Sequence, residues 1–186
     1  TGLQIYTGVV TVGANLVLVG NPITFSANVA ASVAGWTFAI NDGAGTISAA
    51  GQIGTAGVTF GALSFTGNGL TLSGGANSVN TNSTVSIQPA ALATTIGIAG
   101  AAGVLQVTAA DIAAIANTCT GITIGYAAGT GLITSSSVTF NSPVTIRSNG
   151  AGGAITVAAG QTITGAGGVS VALTSPTITI GAAPAV

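Results

Sequence analysis

The side chains able to do chemistry are few, and their types point away from catalysis. Asp42, Asp111 and Arg147 are the only charged residues, Cys119 is the only cysteine, and histidine is absent. General acid and base work needs a second ionisable group beside the first, and no second carboxylate, histidine or lysine lies near Asp111 in sequence. Polysaccharide lyases built on β-helices use clustered acids for calcium and a strong base, and this chain supplies neither. A lone cysteine makes no disulfide framework within the chain and, without histidine, no zinc cluster. The glycine-rich run GAGTISAAGQIG, from Gly43 to Gly54, has no following lysine and no strand-to-helix context, so it is not a phosphate loop. No catalytic residue, cofactor or metal is expected, and the chain reads as a non-enzyme.

The same residues have structural readings. In Thr108-Ala109-Ala110-Asp111 the spacing is that of a helix start. Thr108 stands at the N-cap, and Asp111 at N3 can reach back to the N-cap amide and face the positive end of the helix dipole. Ile112 and Ile115, three positions apart, would seat one face of the helix, and Asn117 to Gly121 would stop it. This predicts one short helix of about two turns near 108–117. Cys119 is either a buried small hydrophobe or a thiol linking neighbouring subunits. Arg147 is expected to point outward into solvent, and Trp36 and Phe38 into the core. Asn82 heads the sequon Asn82-Ser83-Thr84, read as chance, with its side chain a candidate rung in a turn ladder.

The elements that carry these residues read as strands. Triplets of apolar, small polar, apolar residues recur along the chain: Ile23 to Phe25, Val58 to Phe60, Leu63 to Phe65, Leu70 to Leu72 and Val85 to Ile87. They continue as Ile122 to Ile124, Val138 to Phe140, Val144 to Ile146, Ile155 to Val157, Val169 to Val171 and Ile178 to Ile180. Period two over a few residues is a strand buried on one face. Between the triplets lie pieces such as NDGAG, TGNGL and RSNGAGG, whose composition suits tight turns. The shortness of the strands, the unbroken pattern and the echo of NPITFSAN in SPVTIRSN favour stacked coils. The fold expected is all-β: a right-handed parallel β-solenoid, or β-helix, with one short helical insertion. It runs as a single continuous segment over 1–186, with coils of about 20–25 residues, about eight or nine of them, in a rod about 40 Å long.

Composition narrows the function. Charged residues are 2% of the chain, against about 25% in ordinary globular proteins. A net charge of -1 offers almost no repulsion between copies, which favours association. A polyanion would find no basic surface, so nucleic acid is not a partner. Ala90 to Ala110 carries no charge over a length that could span a bilayer, but Gly97, Gly100, Gly103, Thr94, Thr95 and Gln106 dilute it and no Lys, Arg, Trp or Tyr flanks it. No transmembrane helix is expected. Thr1 is not followed by a basic, apolar leader, so any signal peptide is expected to have been removed or to lie outside the segment. Neither TGLQIYTGVV nor TITIGAAPAV holds a charge or an amphipathic helix, so both ends of the solenoid are expected to be uncapped and able to template further strands.

The run from Val104 to Phe140, VLQVTAADIAAIANTCTGITIGYAAGTGLITSSSVTF, resembles a unit of giant bacterial surface and secreted proteins of the filamentous haemagglutinin-like, β-strand-repeat type. In that unit a strand leads into T-A-A-[DE]-[IL], a short helical turn, a strand ending I-G and further short strands. The matching residues are Thr108 to Ile112, Ile122 to Gly125, and Gly129, Gly131 and Leu132. The resemblance implies a right-handed β-helix, export to the bacterial cell surface or beyond, and roles in adhesion or surface structure, with no catalytic site. The expected function is a structural subunit or segment of an extracellular filament, sheath or surface layer, partnered by itself as a homopolymer or by further solenoid of the same polypeptide. The alternative is an adhesin stalk or other binding module. Ice binding wants two threonines on one face of each coil, as in Thr162-Ile163-Thr164 and Thr177-Ile178-Thr179, and most triplets have one.

Overall fold

A computed structural model describes residues 2–182, so Thr1 and the last four residues of the expected 1–186 segment lie outside it. The chain winds as a parallel β-solenoid of about eight turns with one short helix. The first coil lays β1 (Gln4–Tyr6), β2 (Val10–Val12) and β3 (Leu16–Val19) on three faces, and the second repeats them as β4 (Ile23–Phe25), β5 (Val29–Ala31) and β6 (Phe38–Asn41). The third and fourth coils keep strands on the first and third faces, β7 (Thr46–Ala49) with β8 (Leu63–Thr66), then β9 (Gly69–Leu72) with β10 (Thr84–Gln88). On their middle face single bridges, Val29 to Ile53 and Ile53 to Val79, replace strands. The fifth coil holds β11 (Ile96–Ile98), β12 (Leu105–Val107), α1 (Ala109–Ala114) and β13 (Gly121–Ile124). The sixth has β14 (Leu132–Ser135), β15 (Val138–Phe140) and β16 (Val144–Arg147), and the seventh β17 (Ala154–Val157), β18 (Ile163–Gly165) and β19 (Val171–Thr174). β20 (Thr177–Ile180) begins the eighth.

Register shows why the triplets work. On the third face the inward columns run Leu16, Phe38, Leu63, Val85, Ile122, Val144, Val171 and Leu18, Ile40, Phe65, Ile87, Ile124, Ile146, Leu173. Every strand residue between them points outward, giving the column Val17, Ala39, Ser64, Ser86, Thr123, Thr145, Ala172. Branched and aromatic side chains thus stack on their own kind along one core that includes Phe25, Phe38, Phe60, Phe65 and Phe140. Each fully buried side chain of this size contributes about 1.5–3 kcal/mol. All of the expected triplets fall in strands except two. Val58 to Phe60 makes only single bridges, Val58 back to Thr55 across a turn and Phe60 to Thr81 in parallel, and β19 starts only at Val171.

Turns are tied across coils by side chains that accept the amides left over at corners. Asn15 Oδ1 accepts from the Thr37 amide at 2.9 Å, Asn28 Oδ1 from Gln52 at 2.9 Å, and Asn68 Oδ1 from Ala90 at 3.1 Å. These asparagines are the rungs; Asn82 is exposed and joins the neighbouring coil through its backbone amide, which donates to the Phe60 carbonyl. The NPITF and SPVTI echo marks a shared way of entering a strand and not a whole-coil repeat. Pro22 and Pro143 each present a carbonyl to the preceding coil, to the amides of Gln4 and Ile122, but β4 lies on the first face and β16 on the third.

The fifth coil is longer than the rest. Most partners in register are 19 to 27 positions apart, as Gln4 is from Ile23 and Val144 from Val171. Val85 and Ile122 are thirty-seven positions apart. The extra residues fold β12 back alongside β11, so the five-stranded sheet runs β12-β11-β14-β17-β20, and β12 packs next to β9. The first face therefore holds two strands between β9 and β14, where the third face holds only β13 between β10 and β16. Gly97 and Gly103 allow this return, because a Cβ at Gly97 would collide with the Ala101 carbonyl and one at Gly103 with the backbone of Gly97. The glycines that dilute the apolar run Ala90 to Ala110 are thus a fold-back. No helix among the described residues is long and apolar enough to cross a membrane.

Candidate functional site

The fifth coil also positions most of the residues singled out in the sequence. Thr108 is the N-cap of α1, extended at φ -73° and ψ 164°, and its hydroxyl accepts from the Asp111 amide at 3.1 Å. Asp111 answers with Oδ2, which accepts from the Thr108 amide at 2.9 Å and from the Thr108 hydroxyl at 2.6 Å. Its other oxygen, Oδ1, accepts from the Leu72 amide at 2.7 Å, thirty-nine positions earlier. Asp111 is 2% exposed, so this carboxylate gains three donors in exchange for water. The bond to Leu72 does a second job: β12 makes no ladder with β9, and Asp111 satisfies an amide on the edge that the fold-back leaves open.

Ile112 and Ile115 are both buried, and they seat the segment in different ways. Ile112 packs from within the helix. Ile115 is already extended, at φ -74° and ψ 121°, and bridges to Val79 on the middle face. The helix thus stops at Ala114, short of the expected 108–117, because rejoining the ladder supplies backbone partners that one more helical turn would forfeit. Cys119 is 4% exposed within the core, its amide bonded to the Ala116 carbonyl at 3.2 Å. Its sulfur is shielded by its own chain, so a link to a second copy would first require that segment to open.

The other two ionic residues lie elsewhere. Arg147 ends β16 in a half-buried outward position, and its Nε has no hydrogen-bond partner among the described residues. Asp42 follows β6 and is fully buried, with neither carboxylate oxygen bonded. Burial pushes its carboxyl above the ordinary carboxylate range, and the backbone of Ile23 pulls more weakly the other way. Among the described residues no group of three or more His, Cys, Asp or Glu side chains comes together to hold a metal ion. Phe38 is buried as expected, whereas Trp36 is half-buried against the core with its indole N–H facing the Ser32 hydroxyl at 3.3 Å.

Two surfaces remain. At the β20 end of the described residues, a cavity of about 370 Å³ is lined by Val157, Gln161, Thr162, Ile163, Val171, Leu173 and Ile180. Register puts Ile178 and Ile180 at inward positions, yet they are 43% and 66% exposed. At the β1 end the inward positions belong to Gln4 and Tyr6. Tyr6 stacks on Phe25 at 5.1 Å and its hydroxyl donates to Gln4 Oε1 at 2.9 Å, while Gln4 Nε2 donates to the Val19 carbonyl at 2.7 Å. The lateral faces carry hydroxyl columns, Thr134, Thr156 and Thr179 on the first face and Thr139 and Thr164 on the middle one. The two Thr-X-Thr pieces lie on different faces, so they do not combine into a double threonine row. Comparison with protein-family models, curated proteins and solved structures returns no match.

Proposed function

We propose that the chain is a structural segment of an extracellular bacterial filament, sheath or surface layer, built by stacking and lateral packing of uncharged solenoids. One observation carries this reading. Of the three ionic side chains Asp42 and Asp111 are buried, so Arg147 alone remains to charge faces otherwise uncharged, where Thr, Ser, Ala and Asn stand beside exposed apolar side chains such as Ile5, Val17 and Leu132. Faces of that kind approach one another with no charge to desolvate and little repulsion to oppose them. The exposed inward positions Ile178 and Ile180 and the cavity beside them support end-to-end contact with a second copy or with further coils of the same polypeptide. The likeness of Val104 to Phe140 to units of exported β-strand-repeat proteins supports placement outside the cell. Electron microscopy of the purified chain tests the reading: ordered fibres or sheets are expected, and a dispersed monomer at high concentration would overturn it.

A second reading, an adhesin stalk, draws on the corner between β10 and β11, where Leu92 is 46% exposed. Glycan-array binding that is lost when residues 89–95 are replaced by a short turn would favour the stalk.

A further inference from the structure

Asp42 is the one buried carboxyl among the described residues whose oxygens have no hydrogen-bond partner. Its side chain enters the corner where the first three coils meet, and it is 0% exposed. Neither of its oxygens meets a donor at bonding geometry. An acceptor lies close by: Asp42 Oδ2 and Asn21 Oδ1 both border the side of Gly45 where a Cβ would stand, 2.6 and 2.5 Å from that point. The turns packed around it, 20–22, 43–45 and 66–68, consist of Gly, Asn, Pro, Ala and Thr, and Ile23 presents only backbone. No titratable or charged side chain faces it from any of them, and Asp111 and Arg147 belong to the fifth and sixth coils. A buried carboxylate with no counter-charge and no donor is costly, whereas a carboxylic acid has a proton to give to an amide oxygen.

We propose that Asp42 is held as the neutral acid, its proton shared with Asn21 Oδ1, and that its ionisation is a pH switch that loosens the corner joining the first three coils. The direction follows from linkage. The unfolded chain releases this proton in the ordinary carboxylate range and the folded chain only at higher pH, so the native state binds more protons in between. The stabilisation is complete below the unfolded value and is lost as pH rises through the folded one. Disruption spreads from Asp42 because its amide bonds to the Thr66 carbonyl and Gly45 bonds back to Asp42, while the Asn21 amide reaches the Gly2 carbonyl.

The test follows one signal and one variant. Carboxyl-carbon NMR of the full chain, with the Asp42 resonance assigned by its disappearance in Asp42→Asn, is expected to titrate above the ordinary carboxylate range. Melting of the wild type is expected to fall with rising pH by about 3–5 °C for each unit of that displacement. Asp42→Asn is expected to flatten this part of the profile, and hydrogen exchange in the wild type at the higher pH is expected to quicken first at residues 20–26, 42–48 and 66–69. Titration at or below the ordinary value would overturn the proposal, since it would mean that the Asn21 amide has turned its Nδ2 to an ionised Asp42. A chelator-reversible rise in melting temperature on adding calcium chloride at high pH, absent in Asp42→Asn, would also overturn it, by making the partner a cation.

Discussion

Two carboxyl groups are buried in this solenoid, and their surroundings are opposite. Asp111 meets the Thr108 amide, the Thr108 hydroxyl and the Leu72 amide, so every oxygen has a donor. No donor meets Asp42 at bonding geometry, and Asn21 Oδ1 borders the same side of Gly45 as its own Oδ2. Asp42 lies between β6 and the turn that follows it, Asp111 lies in the first turn of α1, and both are almost without exposure. Burial by itself therefore does not fix what a carboxyl contributes. The contribution depends on whether the fold brings amides to it, and at Asp111 it does so because β12 lies beside β9 without completing a ladder, which leaves the Leu72 amide free to bond the carboxylate.

The contrast can be broken most forcefully at Asp111. Asp111→Ala leaves the Leu72 and Thr108 amides without acceptors and is expected to cost about 3 kcal/mol or more in denaturant unfolding. Asp111→Asn keeps one oxygen acceptor and loses the charge-assisted bonds, so a loss of about 1–3 kcal/mol is expected. Thr108→Ala removes only the hydroxyl, with an expected loss of about 1 kcal/mol. Combined with Asp111→Ala it should add less than that, since the two groups share one network. The smallest effect falls on the other carboxyl. Asp42→Asn is expected to leave stability nearly unchanged in acid and to raise it relative to wild type at alkaline pH, the opposite sign to every change at Asp111. An equal loss from Asp42→Asn and Asp111→Asn at neutral pH would erase the distinction.

Much of the fold was legible because it is written locally. Ile23-Thr24-Phe25 alternates within three residues, and Thr108 to Asp111 encodes a cap within four, so neither needs knowledge of a neighbouring coil. What escaped depends on contacts between coils. That Asp111 also serves Leu72 follows from the length of the fold-back between β11 and β12, which no period in the sequence announces. The strand Leu16–Val19 hides its two faces, because Leu, Val, Leu and Val give no polar alternation, and Val17 is left 66% exposed where later coils place Ala, Ser or Thr. Asp42 sits in NDGAG, a composition that reads as a solvated turn, and its burial comes from Asn21 and Gly67 in the coils on either side.

The doubled strand of the fifth coil has a consequence best put in the language of crystals. A stack of coils is a one-dimensional lattice with a spacing of about 4.8 Å, and an additional row inserted on one side only is an edge dislocation. The first face is therefore two ladders, β1-β4-β7-β9 and β12-β11-β14-β17-β20, with a break between β9 and β12, whereas the third face runs unbroken from β3 to β19. A neighbouring rod laid along the first face can match the whole length only if its own defect sits at the same height. Such a fault acts as a vernier mark. In any bundle that used this face, it would select one axial offset among the many that a featureless ladder of threonines would accept equally.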